Sequence, residues 1–415
     1  MPSEVDLLRS LDDEPDTPST IDIRKAMSSG RRRRARRQAG YAGAAALTAI
    51  AVTGTSVAIN LSASPGPVAQ PAASGAPRAS ASATTPVTPA PPTENAQTVK
   101  APEKCTIRQL KAPDGAPMAL ASGADPTGRY VVGRTYPKGG GYQAVIWDDG
   151  KGREIMLPGD MEESLRDVNT SGDAVGWSYV GDDKNGSGPK PYAYQDGKVV
   201  KMRAKGYAQP VAINDAGTIV GAEPDGSGLV WRSATAEPVR LPVPAGTQEA
   251  QPRDIAEDGT VAGSLDSERA VVWGPDGQMR ELPKPTIDGR PAVSTQAFDI
   301  RGDWVTGMAS PERDAAGGPV YAVRWRLSTG TAEVVAELRD PADKVNTQGW
   351  LAGIDPKGYA VLVTGKDTVR LPDLGKHRSD GTATTVSTLS DDGTLLAGHS
   401  DDKDGVIQAV LWRCG

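Results

Sequence analysis

Ile213-Asn214-Asp215-Ala216-Gly217-Thr218-Ile219-Val220-Gly221 is the stretch that decides how this chain folds. Two short apolar runs flank an Asn-Asp-Ala-Gly turn. Asn and Asp side chains hydrogen-bond their own backbone and glycine accepts positive φ, so the turn has the chemistry of a tight hairpin. The second run closes on a glycine. The pattern returns at Val345-Asn346-Thr347-Gln348-Gly349-Trp350-Leu351-Ala352-Gly353.

Outward from these copies, the closing glycine recurs at Gly133, Gly176, Gly221, Gly263, Gly307, Gly353 and Gly398, with successive differences of 43, 45, 42, 44, 46 and 45. Each is read as the end of a second strand. A third strand of the type Ala-Val-x-Trp follows, ending at Trp147, Tyr194, Trp231, Trp273, Trp325 and Trp412, with Val363 in that place in the sixth copy. Counted from the closing glycine to these seven positions, the spacings are 14, 18, 10, 10, 18, 10 and 14, so the excess over 10 is loop between the second and third strands. A last strand, often charged-then-Leu-Pro, closes the unit. This is the period of four-stranded propeller blades. The expected fold is all-β: a seven-bladed β-propeller over 105–415. The tryptophans read as packing between blades rather than a platform for stacking sugars.

The seventh copy runs out at Leu411-Trp412-Arg413-Cys414-Gly415 without a fourth strand. Cys105-Thr106-Ile107-Arg108-Gln109-Leu110 looks like the missing piece, since it matches Pro238-Val239-Arg240-Leu241 and Met279-Arg280-Glu281-Leu282. The N-terminal strand is therefore expected to complete the last blade. Cys105 and Cys414 would face each other across an antiparallel pair, which predicts a disulfide that locks the ring.

Composition agrees. The chain has 415 residues, 48 glycines, 34 prolines and a formal net charge of -6, a balance that gives no sign of nucleic-acid binding. Two cysteines and two histidines are too few for an ordinary zinc site. Between Gln38 and Pro77 no Asp, Glu, Lys or Arg occurs, and 39–61 reads AGYAGAAALTAIAVTGTSVAINL. Such a run suffices for a transmembrane helix. The basic run Arg31-Arg32-Arg33-Arg34-Ala35-Arg36-Arg37 precedes it, and no positive charge follows until Arg78. By the positive-inside rule the N-terminus is expected in the cytoplasm and the C-terminal domain outside the plasma membrane. A cleaved signal peptide is the competing reading, weakened by the long leader and by the lack of a small-x-small site after the apolar run. Residues 1–38 read as a cytoplasmic leader, mostly disordered with short helices. Residues 62–104 form a Pro/Ala/Ser/Thr-rich disordered linker with too few bulky apolar side chains for a core.

The Ile-Asn-x-x-Gly-x-Ile-Val-Gly and Ala-Val-x-Trp strings over 105–414 resemble the HAF-type extracellular repeats and the wider WD40-like propeller group. That resemblance implies a propeller fold and says little about function. The Gly-His…Trp-Asp signature of true WD40 repeats is missing; only Trp147-Asp148 carries the dipeptide. The layout of acidic leader, arginine run, helix, spacer and exported domain is also similar to membrane-anchored proteins of high-GC Gram-positive bacteria.

Function is expected on the face that carries the second-to-third-strand loops and the blade-joining loops, because variable loops on a rigid ring are where binding usually resides. The longest such loops are 178–191 and 308–320. The candidate binding residues are Lys138, Tyr142, Tyr179, Asp182, Asp183, Asn185, Tyr192, Glu312, Arg313, Asp314, Asp401, Asp402 and Asp404. Asp182-Asp183-Lys184-Asn185-Gly186 and Asp401-Asp402-Lys403-Asp404-Gly405 resemble calcium loops but lack the full spacing and closing Glu, so no metal or other cofactor is assigned. No Gly-x-Ser-x-Gly elbow, Walker loop or His-Glu-x-x-His is present. The leading expectation is a membrane-tethered binding, scaffold or sensor protein, monomeric, that takes a protein, peptide or glycan at the cell surface. One alternative is a propeller-type hydrolase or lyase. That alternative requires acids and a basic residue to converge at the channel. The other alternative is a transmembrane signalling protein whose cytosolic leader docks a regulator.

Overall fold

The computed structural model describes residues 99–159, 162–180, 188–312, 319–365, 367–379, 381 and 383–415. The leader, the helix expected over 39–61 and nearly all of the linker lie outside those residues. Among the described residues no helix is long and apolar enough to cross a membrane.

Seven four-stranded antiparallel sheets account for the repeat, with one two-stranded ribbon, Thr286–Ile287 with Arg290–Pro291, between the fourth and fifth. Blades 1 to 6 span 118–155, 163–201, 209–240, 250–281, 294–334 and 344–370, and each is a simple meander. Blade 7 takes three strands from 384–414 and its fourth from Cys105–Gln109. The first strand of every blade touches the first strands of both neighbours, around to blade 7 against blade 1, so these strands line the axis of a closed ring. The meander sends the first-to-second-strand hairpins to one face. The second-to-third-strand loops and blade-joining loops go to the other.

The repeated glycine has a different role from the one read in the sequence. It does not end the second strand, which runs on to Tyr136, Val180, Ala222, Leu265, Ser310, Ile354 and Asp401 in the seven blades. In six blades it sits opposite a β-bulge in the first strand, as at Leu165/Asp167 and Ala297/Asp299. The bulge pushes a carbonyl oxygen towards the second strand. A Cβ on Gly133, Gly176, Gly221, Gly263, Gly307 or Gly398 would collide with the oxygen of Leu120, Ser164, Gln209, Gln251, Gln296 or Thr385. Blade 6 is the exception. Its first strand is only Lys344–Val345, without a register shift, and a Cβ on Gly353 would meet only the Leu338 side chain, at 3.1 Å.

Each seam between blades is both greasy and stitched. Trp147, Trp231, Trp273, Trp325 and Trp412 are fully buried. Each indole N–H donates to a carbonyl just after the outer strand of the preceding blade: Lys111 (2.9 Å), Arg203 (2.7 Å), Pro242 (2.9 Å), Pro283 (2.8 Å) and Pro372 (2.9 Å). A buried indole needs such a partner, so the aromatic position sets the spacing between blades as well as filling it. The hairpin asparagines also reach forward. Asn169, Asn214 and Asn346 donate through Nδ2 to the carbonyls of Asn214, Ala256 and Asp391 in the next blade, at 3.2, 3.1 and 3.2 Å.

Ring closure follows the expected register. Cys105 pairs with Cys414, Ile107 with Trp412 and Gln109 with Val410, and a disulfide joins Cys105 to Cys414.

Two tests follow. Reducing the disulfide, or a Cys105→Ser/Cys414→Ser variant, should lower unfolding stability by about 2–5 kcal/mol, read as a lower urea midpoint against the oxidised protein. Gly176→Ala and Gly307→Ala should each cost more than about 2 kcal/mol, whereas Gly353→Ala should cost under about 1 kcal/mol, because a mobile side chain can yield where a bulged backbone cannot. Equal costs at the three positions would refute the bulge explanation.

Candidate functional site: the charged channel

The residue just after the bulge faces the next blade. In blades 2, 4 and 5 it is Asp167, Asp254 and Asp299, and each carboxylate accepts the backbone N–H of the following blade: Ile213 at 2.9 Å, Ile300 at 3.0 Å and Val345 at 2.8 Å. In blade 6 the same place holds Lys344, whose Nζ reaches back to Asp299 Oδ1 at 2.6 Å. Arg301 stands two residues beyond Asp299, where the first strand enters its hairpin, 3.6 Å from Glu257. Acids and bases thus converge on the hairpin side of the channel.

Their ionisation is interdependent. Burial pushes the Asp254 carboxyl up, the neighbouring Asp299 charge adds to that, and Lys344 and Arg301 oppose it, leaving Asp254 at about 8. Burial also raises Asp299, but Lys344 and Arg301 outweigh it and hold that carboxyl below its ordinary value. Lys344 and Arg301 resist the desolvation that would neutralise them because Asp299 and Asp254 stand beside them, and both are shifted up. At neutral pH the core of the cluster is an ionised Asp299 between two cations, with Asp254 protonated.

The loop side of the channel is lined by arginines. Arg166 and Arg253 are the bulged residues of blades 2 and 4, and both stand exposed in the channel. Arg253 donates to Gln251 Oε1 at 3.1 Å. Arg134 follows Gly133 in blade 1. Its guanidinium lies 4.8 Å from the Tyr142 ring centre and 5.5 Å from that of Tyr136, and its buried Nε has no hydrogen-bond partner. Among the described residues Arg166 makes no ion pair. The channel walls strip part of its hydration, and the charges of Arg134 and Arg253 add to that, so its pKa falls despite Asp167. His399 takes in blade 7 the place that Arg134 takes in blade 1. Its Nδ1 is buried without a partner, and burial lowers its pKa against Asp401, with Arg134 lowering it further. The imidazole is neutral at pH 7.

Of the residues expected on the loop face, the structure brings Tyr142 to Arg134, with its ring edge-on to Tyr136 at 4.7 Å. Lys138 is exposed in the same loop. Tyr179 lies half-buried against Trp177 at 5.4 Å, and Glu312 is exposed, with its carbonyl accepting the Ser294 hydroxyl at 2.9 Å. Tyr192 is a correction. The second strand of blade 2 runs to Val180 and the third begins at Gly188, so Tyr192 sits inside a strand and is buried in the core. Asp401 ends a strand. Asp402 is spent inside its turn, accepting the N–H groups of Asp404 and Val406 at 2.9 and 3.0 Å, and Asp404 pairs with Lys403 at 2.7 Å. Asp182, Asp183, Asn185, Arg313 and Asp314 lie outside the described residues. Among the described residues no group of His, Cys, Asp and Glu is arranged to hold a metal ion.

Sequence reasoning missed Arg134, Arg166, Arg253 and the three aspartates. The signal was present: Arg166-Asp167, Arg253-Asp254 and Asp343-Lys344 put charged pairs where blades 1, 3 and 7 have Ser122-Gly123, Val211-Ala212 and Ser387-Thr388.

The strand pairing and ring closure define a seven-bladed β-propeller enclosing a charged channel. No family model matches the chain, and no curated protein matches it. Among solved structures it is similar to virginiamycin B lyase from Staphylococcus aureus, at 12% identity and TM-score 0.46, covering 74% of this chain and 98% of that one. It is similar to YCF48 bound to D1 peptide, at 11% identity and TM-score 0.44, covering 76% and 99%. It is also similar to BamB from Moraxella catarrhalis, at 17% identity and TM-score 0.39, covering 71% and 83%. At these identities the likenesses say nothing of chemistry.

The proton on Asp254 makes stability depend on pH. The folded state keeps a proton that the unfolded chain releases above its ordinary carboxyl pKa, so this contribution is full in acid and is lost as pH rises through about 8. Between pH 6 and 9 the wild type should lose about 1–3 kcal/mol from this source. Asp254→Asn keeps an oxygen for the Ile300 N–H and should flatten that decline. Thermal unfolding of both proteins across this range checks it, and parallel curves would contradict the assignment.

Proposed function

We propose that this protein is a membrane-tethered binding module that takes an anionic ligand at the loop-face mouth of its channel. The observation that carries this reading is the set of guanidiniums at Arg134, Arg166 and Arg253: burial lowers the Arg166 pKa, and Arg134 and Arg253 are near enough for their charges to lower it further. Arginine forks match carboxylates and phosphates in geometry. A ligand anion there would offset the like-charge repulsion, and each charged hydrogen bond gained is worth about 1.5–3 kcal/mol. The ring around them is rigid, so little ordering is required on binding. The aromatic pair Tyr136 and Tyr142 beside Arg134 offers an apolar edge to a peptide or a sugar. The uncharged 39–61 segment behind its arginine run supports the tether, and a Pro-rich linker could hold the ring on the order of 130 Å from the membrane at full stretch. A ligand on a protein, peptide or glycan at the cell surface fits that placement.

Retention of acidic wall polymers and secreted proteins on immobilised protein tests the proposal. Arg166→Ala/Arg253→Ala should weaken retention at least tenfold, and wild-type retention should fall steeply with salt. Unchanged retention in the double variant would remove the channel as the site.

A second reading, a propeller-type hydrolase or lyase, draws support from His399, a neutral imidazole with a free ring nitrogen near this cationic mouth. On that reading the ligand would be consumed by the wild type and left intact, though bound, by His399→Gln.

A further inference from the structure

A second cavity lies away from the channel, on the hairpin face, in the seam that the closing strand makes between blades 7 and 1. Its volume is about 170 Å³. The floor is apolar: Leu110 from the closing segment, Val131 from blade 1 and Leu411 from blade 7 are all buried. The rim is charged. Arg108 and Arg413 come from paired strands of blade 7, and Asp149-Gly150 from a hairpin of blade 1. Arg129 also lines the rim, but its guanidinium is held by Asp148 at 2.9 Å and lies over Tyr130, so its charge is already answered. Among the described residues neither Arg108 nor Arg413 makes an ion pair, and Asp149 is the one acid that faces them in the cavity. The rim therefore carries one positive charge in excess. Gly150 has φ +77°, and a Cβ there would collide with the Arg108 guanidinium, so the turn leaves space for that side chain at the mouth.

We propose that this seam is a binding site for a small apolar carboxylate. A closed hydrocarbon floor favours a branched or cyclic hydrocarbon over a hydrated ion. A single unanswered positive charge, carried on planar forks, suits a monoanion better than a doubly charged phosphate. Arg108 and Leu110 belong to the segment that closes the ring, and Arg413 precedes Cys414, so the site is complete only when the closing strand is docked. Occupancy and ring closure are linked: a ligand that binds only the closed form stabilises it by mass action.

Calorimetry on the full-length chain tests this with 4-methylpentanoate as probe, beside 4-methylpentan-1-ol, formate and inorganic phosphate. The account expects the branched carboxylate to bind at least tenfold more tightly than each of the other three and to raise the urea midpoint. Arg108→Gln/Arg413→Gln should weaken that binding at least tenfold, and Arg166→Ala in the channel should leave it unchanged. Asp149→Asn removes the opposing charge at a left-handed position that Asn tolerates, and should tighten binding several-fold. This gain is readable even if the double arginine variant does not fold. Phosphate or formate binding as well as the branched acid, no binding of the branched acid, or an Asp149→Asn variant with unchanged or weaker affinity would each overturn the proposal.

Discussion

No blade of this ring can satisfy itself; each depends on its neighbour across the seam. Five buried indoles donate to carbonyls of the preceding blade. Three carboxylates accept amides of the following one. A four-stranded antiparallel sheet exposes two faces, and one alone would leave these polar groups and most of its apolar surface in water. A missing partner at a buried polar group costs more than its hydrogen bond is worth when made. The ring must therefore close, and the Cys105–Cys414 bond ties the one joint where the chain is not continuous. The bulge that re-aims the first strand brings the aspartates to the next blade, and the glycine opposite makes the bulge possible. Repeat period, glycine and clamp are one device.

The same device sorts charge along the axis. Residues at the bulge project into the channel towards the loop face, and in two blades these are Arg166 and Arg253. Residues just after it turn towards the seam, and in three blades these are aspartates. The acids are consumed in holding blades together and in balancing Lys344 and Arg301, so they do not neutralise the arginines. A channel results whose hairpin half holds acids and bases together and whose loop half is basic. The chain's overall negative charge gives no hint of this, because net charge says nothing of placement.

The fold was legible in the sequence because propeller blades repeat. Gly217, Gly349 and the Ala-Val-x-Trp strings mark the same structural events in each copy, and the closing strand could be recognised by its likeness to 238–241 and 279–282. What the glycine does was not legible. A strand end and a mid-strand close approach both demand the smallest residue, and only the partner backbone tells them apart. The site was legible only in part. Loop length singles out Tyr142, which the fold sets beside Arg134, and also Tyr192, which is a strand residue because the extra residues of blade 2 extend two strands before they form a loop. Asp402 caps its turn, and an Asx turn and a cation loop use the same residues, so the sequence alone does not separate them. Arg166 and Arg253 lie far apart in the chain, and their convergence is a property of the ring.

Native-state hydrogen exchange at Ile213, Ile300 and Val345 tests the central claim most directly, because these amides are bonded by the carboxylate of the preceding blade. If the seams make the ring one cooperative unit, these amides exchange only by global opening, with the same free energy as the strand amides on either side. Exchange of the three at separate, lower free energies, blade by blade, would show that the blades hold themselves and that the seams do not govern the fold.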